Sequence, residues 1–319
     1  MMQMKNLDFI VIGAQKSATT SLYRYLQQHP KIFMPADKEA PFFSHDRLYQ
    51  SGWEAFAGTQ FGSAPTDKLW GTVSPQYMYD MRAPSRIAKH MPHAKLIALL
   101  RNPVERAHSH YRMAVRRGTE KRSFPTVVDD LRRPGLGQGN RNASVLELHP
   151  DPGTVISEDM YYLAWSEYGR ALKMYRQYFD EDQILVLYMD ELKSNPRETV
   201  QMILEFIGAE GGVIPANVGK VYHRGGTQRI IPESWRCFVR DLPGFRPLWH
   251  CVPDRTRSTI NYWYEQFNVK KQAPETIDSA TRLKLVEYFR SDVKLLQNIF
   301  TRPVPWTEFS EIESSGAMT

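Results

Sequence analysis

Cysteine is almost missing from this sequence: its 319 residues hold two, Cys237 and Cys251. Two thiols in a chain of that length make no disulfide framework and fit a reducing compartment. Long hydrophobic runs are missing as well. No window approaches the roughly 18 consecutive apolar residues of a membrane span. The stretch from Met1 lacks a basic segment followed by a long apolar one, so no signal peptide is expected. Charge of one sign is weak: a net charge of +6, with 24% charged residues, points to an anionic ligand but is too mild to argue for nucleic acid. His90 and His93 in "HMPH", and His108 and His110 in "HSH", have no cysteine or carboxylate at ligand spacing, so no metal is expected. Internal repeats are absent. These exclusions leave a cytoplasmic globular protein, one domain over residues 1–309 with a small polar tail, 310–319, expected to fray.

What is present is an alternation of strands and helices. Buried-type strands are predicted at Phe9–Gly13, Lys95–Leu100 and Ile184–Tyr188. Helices are predicted from Thr19 to His29, from Val104 towards Arg117, from Met160 to Phe179, from Pro196 to Ile207 and from Thr281 to Phe300. Strands spaced by helices imply βαβ units, hence an α/β fold whose central parallel sheet is flanked by helices on both faces. Gly118–Glu158 and Ile214–Lys271 give no clear periodicity, and acceptor specificity is expected there.

The first strand runs into Gly13-Ala14-Gln15-Lys16-Ser17-Ala18-Thr19-Thr20. This is nearly a phosphate-binding G-x-x-x-x-G-K-[ST] loop, with Ala18 in place of the second glycine, Thr19 in place of the lysine, and Lys16 three residues early. Backbone N–H groups around Ser17–Thr20, at a helix N-terminus, would still cradle an anion. An ATP-dependent kinase also needs an acidic residue after a neighbouring strand. "LLRNPVERAHSHY" ends its strand in Arg101 instead and places Ser109 on the following helix, a second anion site. Asp190 and Glu191 in "ILVLYMDEL" keep the kinase reading open, and a catalytically silent anion-binding protein is the other alternative.

"GAQKSATTSLYRYLQQHP", "KEAPFF", "SPQY", "LLRNPVERAHSHY" and "LVLYMDELKSNP" follow one another in an order and spacing that resembles the family of sulfotransferases using 3′-phosphoadenosine 5′-phosphosulfate (PAPS). The likeness is to its bacterial members and to the Golgi carbohydrate sulfotransferases of the heparan sulfate group. It implies a P-loop-like sulfotransferase fold and transfer of a sulfuryl group to a hydroxyl or amine, with a glycan, a glycolipid or a small molecule as acceptor.

The resemblance also implies roles for residues. Lys16, Ser17, Ala18, Thr19 and Thr20 would bind the 5′-phosphosulfate, and Lys16 would neutralise the departing oxygen. Arg101 and Ser109 would hold the 3′-phosphate, and Arg224 and Gly225 of "HRGGTQR" would close over the nucleotide. Glu39 of "KEAPFF" would be the base, with Pro41-Phe42-Phe43 expected to give it apolar surroundings. His45, His108 and His110 are rival bases. Arg106 is expected to be a structural ion-pair partner. The sequence departs from the resemblance at Ala18, where the family usually has glycine, and at Val73, where the heparan sulfate enzymes carry a lysine near substrate.

Overall fold

The computed structural model describes residues 4–132, 161–209, 213–222, 227–229, 269–271 and 276–310. Five strands form one parallel sheet: β1 (Phe9–Gly13), β2 (Ile32–Phe33), β3 (Leu69–Val73), β4 (Lys95–Leu100) and β5 (Ile184–Tyr188), in the order β2-β3-β1-β4-β5. Val11 of β1 is in register with Val73 on one side and Ile97 on the other, and Leu100 of β4 with Tyr188 of β5. A short antiparallel pair, β6 (Thr227–Arg229) and β7 (Val269–Lys271), stands apart from this sheet.

Side chains of a strand alternate between faces, and here each face meets its own apolar layer. Ile10, Ile12, Leu96, Ala98 and Leu100 point into one layer, while Phe9, Val11, Ile97 and Leu99 point into the other. The first layer is closed by α3 (Trp53–Phe61), α4 (Ala83–His90), α5 (Pro103–Arg117), α6 (Phe124–Arg132), α7 (Tyr168–Tyr175) and α10 (Ser279–Phe300). The second is closed by α1 (Thr19–Gln27), α8 (Met189–Ser194) and α9 (Pro196–Phe206). Two short helices complete the set among the described residues, α2 (Asp46–Gln50) and α11 (Thr307–Ser310). The three strands read from the sequence are all present, and β2 and β3 join them.

Three expectations need correction. The predicted helix from Met160 to Phe179 is broken: a 3₁₀ turn covers Ala164–Ser166 and α7 starts only at Tyr168. Asp292 of α10 explains the break, because its carboxylate accepts the N–H groups of Gly169 at 2.8 Å and Arg170 at 2.9 Å. Those donors belong to the first turn of a helix, so the carboxylate fixes where the helix begins. Part of Gly118–Glu158 has a clear pattern after all, since α6 buries Phe124, Val127, Val128 and Leu131 at helical spacing. The rest, 133–158, lies outside the described residues. Of Ile214–Lys271, residues 214–222 run along α1, where Tyr25 donates to the Lys220 carbonyl at 2.7 Å and Asn217 to that of Arg24 at 2.7 Å, while 223–226 and 230–268 lie outside the described residues. The tail beyond Ser310 is outside the described residues.

β1 sits where the order reverses: α1 leads to β2 and β3 on one side, and β4 and β5 lie on the other. Ligands of open α/β sheets bind beyond the carboxyl ends of the strands at such a point.

Candidate active site

Three strand ends meet at this reversal. The loop after β1 turns sharply, with Lys16 at φ 72° and Ala18 at φ 64°, both left-handed. Ala18 is the residue before α1, and no side chain caps the helix. The first N–H groups of a helix have no intrahelical acceptors, so an uncapped start aimed at a crevice is a place for an anion. Ser17 is fully buried and its Oγ makes no hydrogen bond in the structure. The Tyr168 hydroxyl lies beside Ser17 and donates to the Arg101 carbonyl at 2.9 Å. Thr19 is buried and Thr20 half-buried in the first turn of α1.

β4 delivers Arg101 to the same place. Its guanidinium reaches the Lys16 carbonyl at 3.4 Å and the Glu105 carboxylate at 3.6 Å. Ser109, half-buried, follows Glu105 by one turn on the same side of α5. The next turns carry Met113, whose Sδ lies 3.7 Å from Lys16 Nζ, and Arg116. Burial, then the charges of Arg116, Arg101, Arg117 and Arg106, push the Lys16 ammonium down to about 8. Clustered cations that lower one another's charge are stabilised by an anion.

Arg112 and Arg116 are half-buried, and neither has an ion-pair or hydrogen-bond partner among the described residues. Neither stands out in the sequence by motif. The signal was available: 109, 112 and 116 are spaced to share one helix face.

β3 and the segment 35–40 form the third wall. The Tyr23 hydroxyl of α1 donates to the Pro35 carbonyl at 2.7 Å. Ser74 Oγ donates to the Ala40 carbonyl at 3.0 Å, the Tyr77 hydroxyl donates to the same oxygen, and Ser74 N–H donates to Val11 of β1 at 3.0 Å. Glu39 is therefore held on a segment pinned at both ends to the elements that carry the loop. Its surroundings differ from expectation, however. The side chain is 54% exposed and pairs with Lys38 at 2.9 Å. Phe42 and Phe43 turn away into the core, packing on Trp53 and on Tyr77 respectively, because a short 3₁₀ turn at Phe42–Ser44 rotates both rings inward. Glu39 lines an open groove of about 630 Å³ between this segment and helices α2 and α3.

The rival bases are placed differently. His108 packs on Phe124, and burial pushes it down to about 4. His110 packs on Tyr162 and Trp165, and burial holds it well below the usual imidazole value. His45 is exposed and caps α2 by accepting from Leu48 N–H at 3.5 Å. Arg106 is fully buried, but its partners among the described residues are neutral groups, not a carboxylate: Ser166 Oγ at 2.6 Å, the Tyr162 carbonyl and His110 Nδ1 at 3.4 Å. Arg224 and Gly225 lie outside the described residues, as does His223; Tyr222 just before them docks its N–H on Ser21 Oγ of α1 at 3.3 Å.

The acidic pair after β5 is committed elsewhere. Glu191 accepts Tyr188 N–H at 2.9 Å and pairs with Arg302, and Asp190 accepts the Trp306 indole at 3.2 Å. Among the described residues, no group of three or more His, Cys, Asp or Glu side chains is placed to hold a metal ion. No helix among them is long and apolar enough to cross a membrane.

A solved structure, a sulfotransferase from Alicyclobacillus acidocaldarius, superposes with a TM-score of 0.63 at 21% identity, over 94% of this chain and 98% of that one. It shares the fold. Among curated proteins, the membrane-associated sulfotransferase kil1 of Dictyostelium discoideum is 40% identical over 110 residues, 34% of this chain and 23% of that protein. Mouse heparan sulfate glucosamine 3-O-sulfotransferase 3B1 is 26% identical over 203 residues, 62% of this chain and 45% of that protein. The chain thus spans less than half the length of these relatives. The family model for the sulfotransferase domain matches residues 6–221, a stretch that includes β1 to β5, the Lys16 loop, Glu39, Arg101 and Ser109, and the chain belongs to that family.

Proposed function

We propose that this protein transfers the sulfuryl group of PAPS to an acceptor hydroxyl or amine, with a carbohydrate or glycolipid hydroxyl favoured by the heparan sulfate relatives. One observation carries the reading: Arg101 from the end of β4 and Lys16 from the end of β1 meet at one crevice. A ligand with phosphates at two separated points uses both, whereas ATP carries its phosphates at one end. The uncapped start of α1 and the unsatisfied Ser17 Oγ fit a bound phosphate group.

Bound there, PAPS supplies a sulfuryl group activated by a phosphate leaving group. The chain supplies position and charge. Ser17–Thr20 hold the 5′ end, and Arg101 with Ser109 holds the 3′-phosphate. The acceptor oxygen bonds to sulfur as the bond from sulfur to the bridging oxygen breaks. Glu39 takes the acceptor proton, and Lys16 balances the charge on the oxygen that leaves with the electron pair. Glu39 must first part from Lys38, an exposed pair of the kind worth about 1 kcal/mol or less. A cytoplasmic setting for a single domain over 1–309, with sulfation of a small natural product as the alternative activity, completes the proposal.

The test is calorimetric titration with 3′,5′-adenosine bisphosphate, against ATP with Mg²⁺, on wild type and Ser109→Ala. We expect tight bisphosphate binding, weakened about tenfold or more in the variant because a hydrogen bond to a charged group is worth ~1.5–3 kcal/mol. Binding of ATP that depends on Mg²⁺, with no response to the bisphosphate, would replace this reading by the kinase one.

A further inference from the structure

The cations of the site and its groove are segregated. Arg101 after β4 and Arg116 of α5 gather around Lys16 of the loop, and Arg112 lies on the same α5 face as Arg116. The groove beside Glu39 has a different character. Its ionisable lining among the described residues is Asp37, Lys38 and Glu39, and the single cation is already paired with Glu39 at 2.9 Å. Val73 is fully buried in the sheet and offers no charge to this wall.

The remaining lining divides in two. Ala40, Leu48 and Phe56 make an apolar side, with the Phe56 ring seated on Phe42 at 4.9 Å. Ser51, Thr59 and Gln60 are polar and neutral. The Ser51 and Thr59 hydroxyls donate within their own helices, to Leu48 at 2.7 Å and to Ala55 at 3.2 Å, which leaves their oxygens free to accept from a ligand hydroxyl. A volume of about 630 Å³ is in the range of small-molecule sites, roughly 300–1,000 Å³.

We infer that this groove is the acceptor pocket, and that it takes an uncharged, hydroxyl-bearing molecule with an apolar group beside the hydroxyl, not a polyanionic glycan. This rests on the proposed sulfotransferase activity. An anionic sugar would lose water against two carboxylates, Asp37 and Glu39, with Lys38 alone in the described lining to set against them once Glu39 parts from it, an unfavourable exchange. A neutral sugar ring bearing an alkyl group matches both sides of the groove: hydroxyls meet Ser51, Thr59 and Gln60, and the alkyl group meets Leu48 and Phe56.

The experiment uses octyl β-glucoside below its micelle concentration and N-acetylheparosan as probes, on wild type and Ala55→Trp. Ala55 is exposed on the groove wall, so the variant fills the groove without touching the core. Calorimetry with 3′,5′-adenosine bisphosphate comes first, and unchanged affinity in Ala55→Trp certifies its fold. The bisphosphate complex of the wild type is expected to bind octyl glucoside, with transfer from PAPS to it and tenfold or more weaker binding and kcat/KM in the variant. Sulfation of N-acetylheparosan in preference to the glucoside, absence of glucoside binding, or equal glucoside binding in Ala55→Trp would each overturn the inference. Failure to bind the bisphosphate would instead remove the sulfotransferase reading itself.

Discussion

The Arg101 guanidinium lies 3.4 Å from the main-chain carbonyl of Lys16, a contact between residues 85 apart in the chain. Arg101 thus does two jobs: it supplies a cation and it braces the loop that supplies another. Arg101→Ala is expected to lower bisphosphate affinity by more than the roughly tenfold loss of a single charged hydrogen bond, because the loop loses its brace as well. Arg101→Lys keeps the charge but not the planar fork, and should recover only part of the affinity. Titration calorimetry on both variants decides this; equal affinities in wild type and Arg101→Ala would disprove it.

Lys16 makes the binding of anions depend on pH. Its ammonium is lowered from 10.5 to about 8, first by burial and then by Arg116. A bound phosphate favours the charged form, so bisphosphate affinity should be level below pH 8 and fall above it. The sign for folding is opposite. Between about 8 and 10.5 the unfolded chain holds this proton and the folded chain does not, so the group's contribution to stability grows as pH rises through that window. Arg116→Ala removes the largest opposing charge, and should move the fall in affinity to higher pH. Calorimetry at pH 7, 8 and 9 on wild type, Arg116→Ala and Lys16→Arg reads it directly. A level profile in the wild type would count against it.

Ala18 holds a left-handed backbone, φ 64° and ψ 20°, at the start of α1. For an L-residue that conformation costs ~1–2 kcal/mol, while glycine there gives back ~0.5–1 kcal/mol in chain entropy. The balance favours glycine by about 0–1.5 kcal/mol. Ala18→Gly should raise the midpoint of denaturant unfolding slightly and leave bisphosphate affinity within twofold. A lowered midpoint would show that the methyl group packs usefully.

How much of this was legible depends on whether a residue's role is local. β1, β4 and β5 announced themselves as short apolar runs because both faces of the sheet are covered, and the loop after β1 because its chemistry is contiguous. β2 has two residues and β3 contains Gly71, so neither carries a run strong enough to notice. The start of α7 could not be read at all: it is set by Asp292, 123 residues from Gly169. Glu39 stands out by its motif, but its exposure follows from which way Phe42 and Phe43 turn, a matter of packing against Trp53 and Tyr77. Arg112 and Arg116 were missed for the opposite reason. Their spacing was visible, but an arginine on a basic helix is unremarkable until the described residues around it are known to offer it no partner.

The junction of α7 and α10 gives the sharpest stability prediction. Asp292 is buried, and burial followed by the nearby Glu167 pushes its carboxyl up to about 7, against the two N–H groups it accepts and the charge of Arg170. Tyr288 and Arg170 hold Glu167 from the other side, at 2.6 Å and 3.1 Å. The folded value lies above the unfolded 3.8, so this group's contribution is fully present below about pH 4 and is lost as pH rises through about 7. Asp292→Asn removes the titration and keeps one acceptor oxygen. Wild type should therefore lose thermal stability relative to Asp292→Asn between about pH 4 and 7, and parallel Tm curves would refute the assignment. Gly169→Ala tests the same junction without charge. Its added Cβ would lie 2.3 Å from the Asp292 carbonyl oxygen and 2.9 Å from Leu296 N. Both are backbone atoms that cannot swing aside, so α7 and α10 must separate, at a cost of ~1–3 kcal/mol at every pH. The pair separates the two effects: the asparagine variant changes the slope of stability with pH, and the alanine variant changes its level.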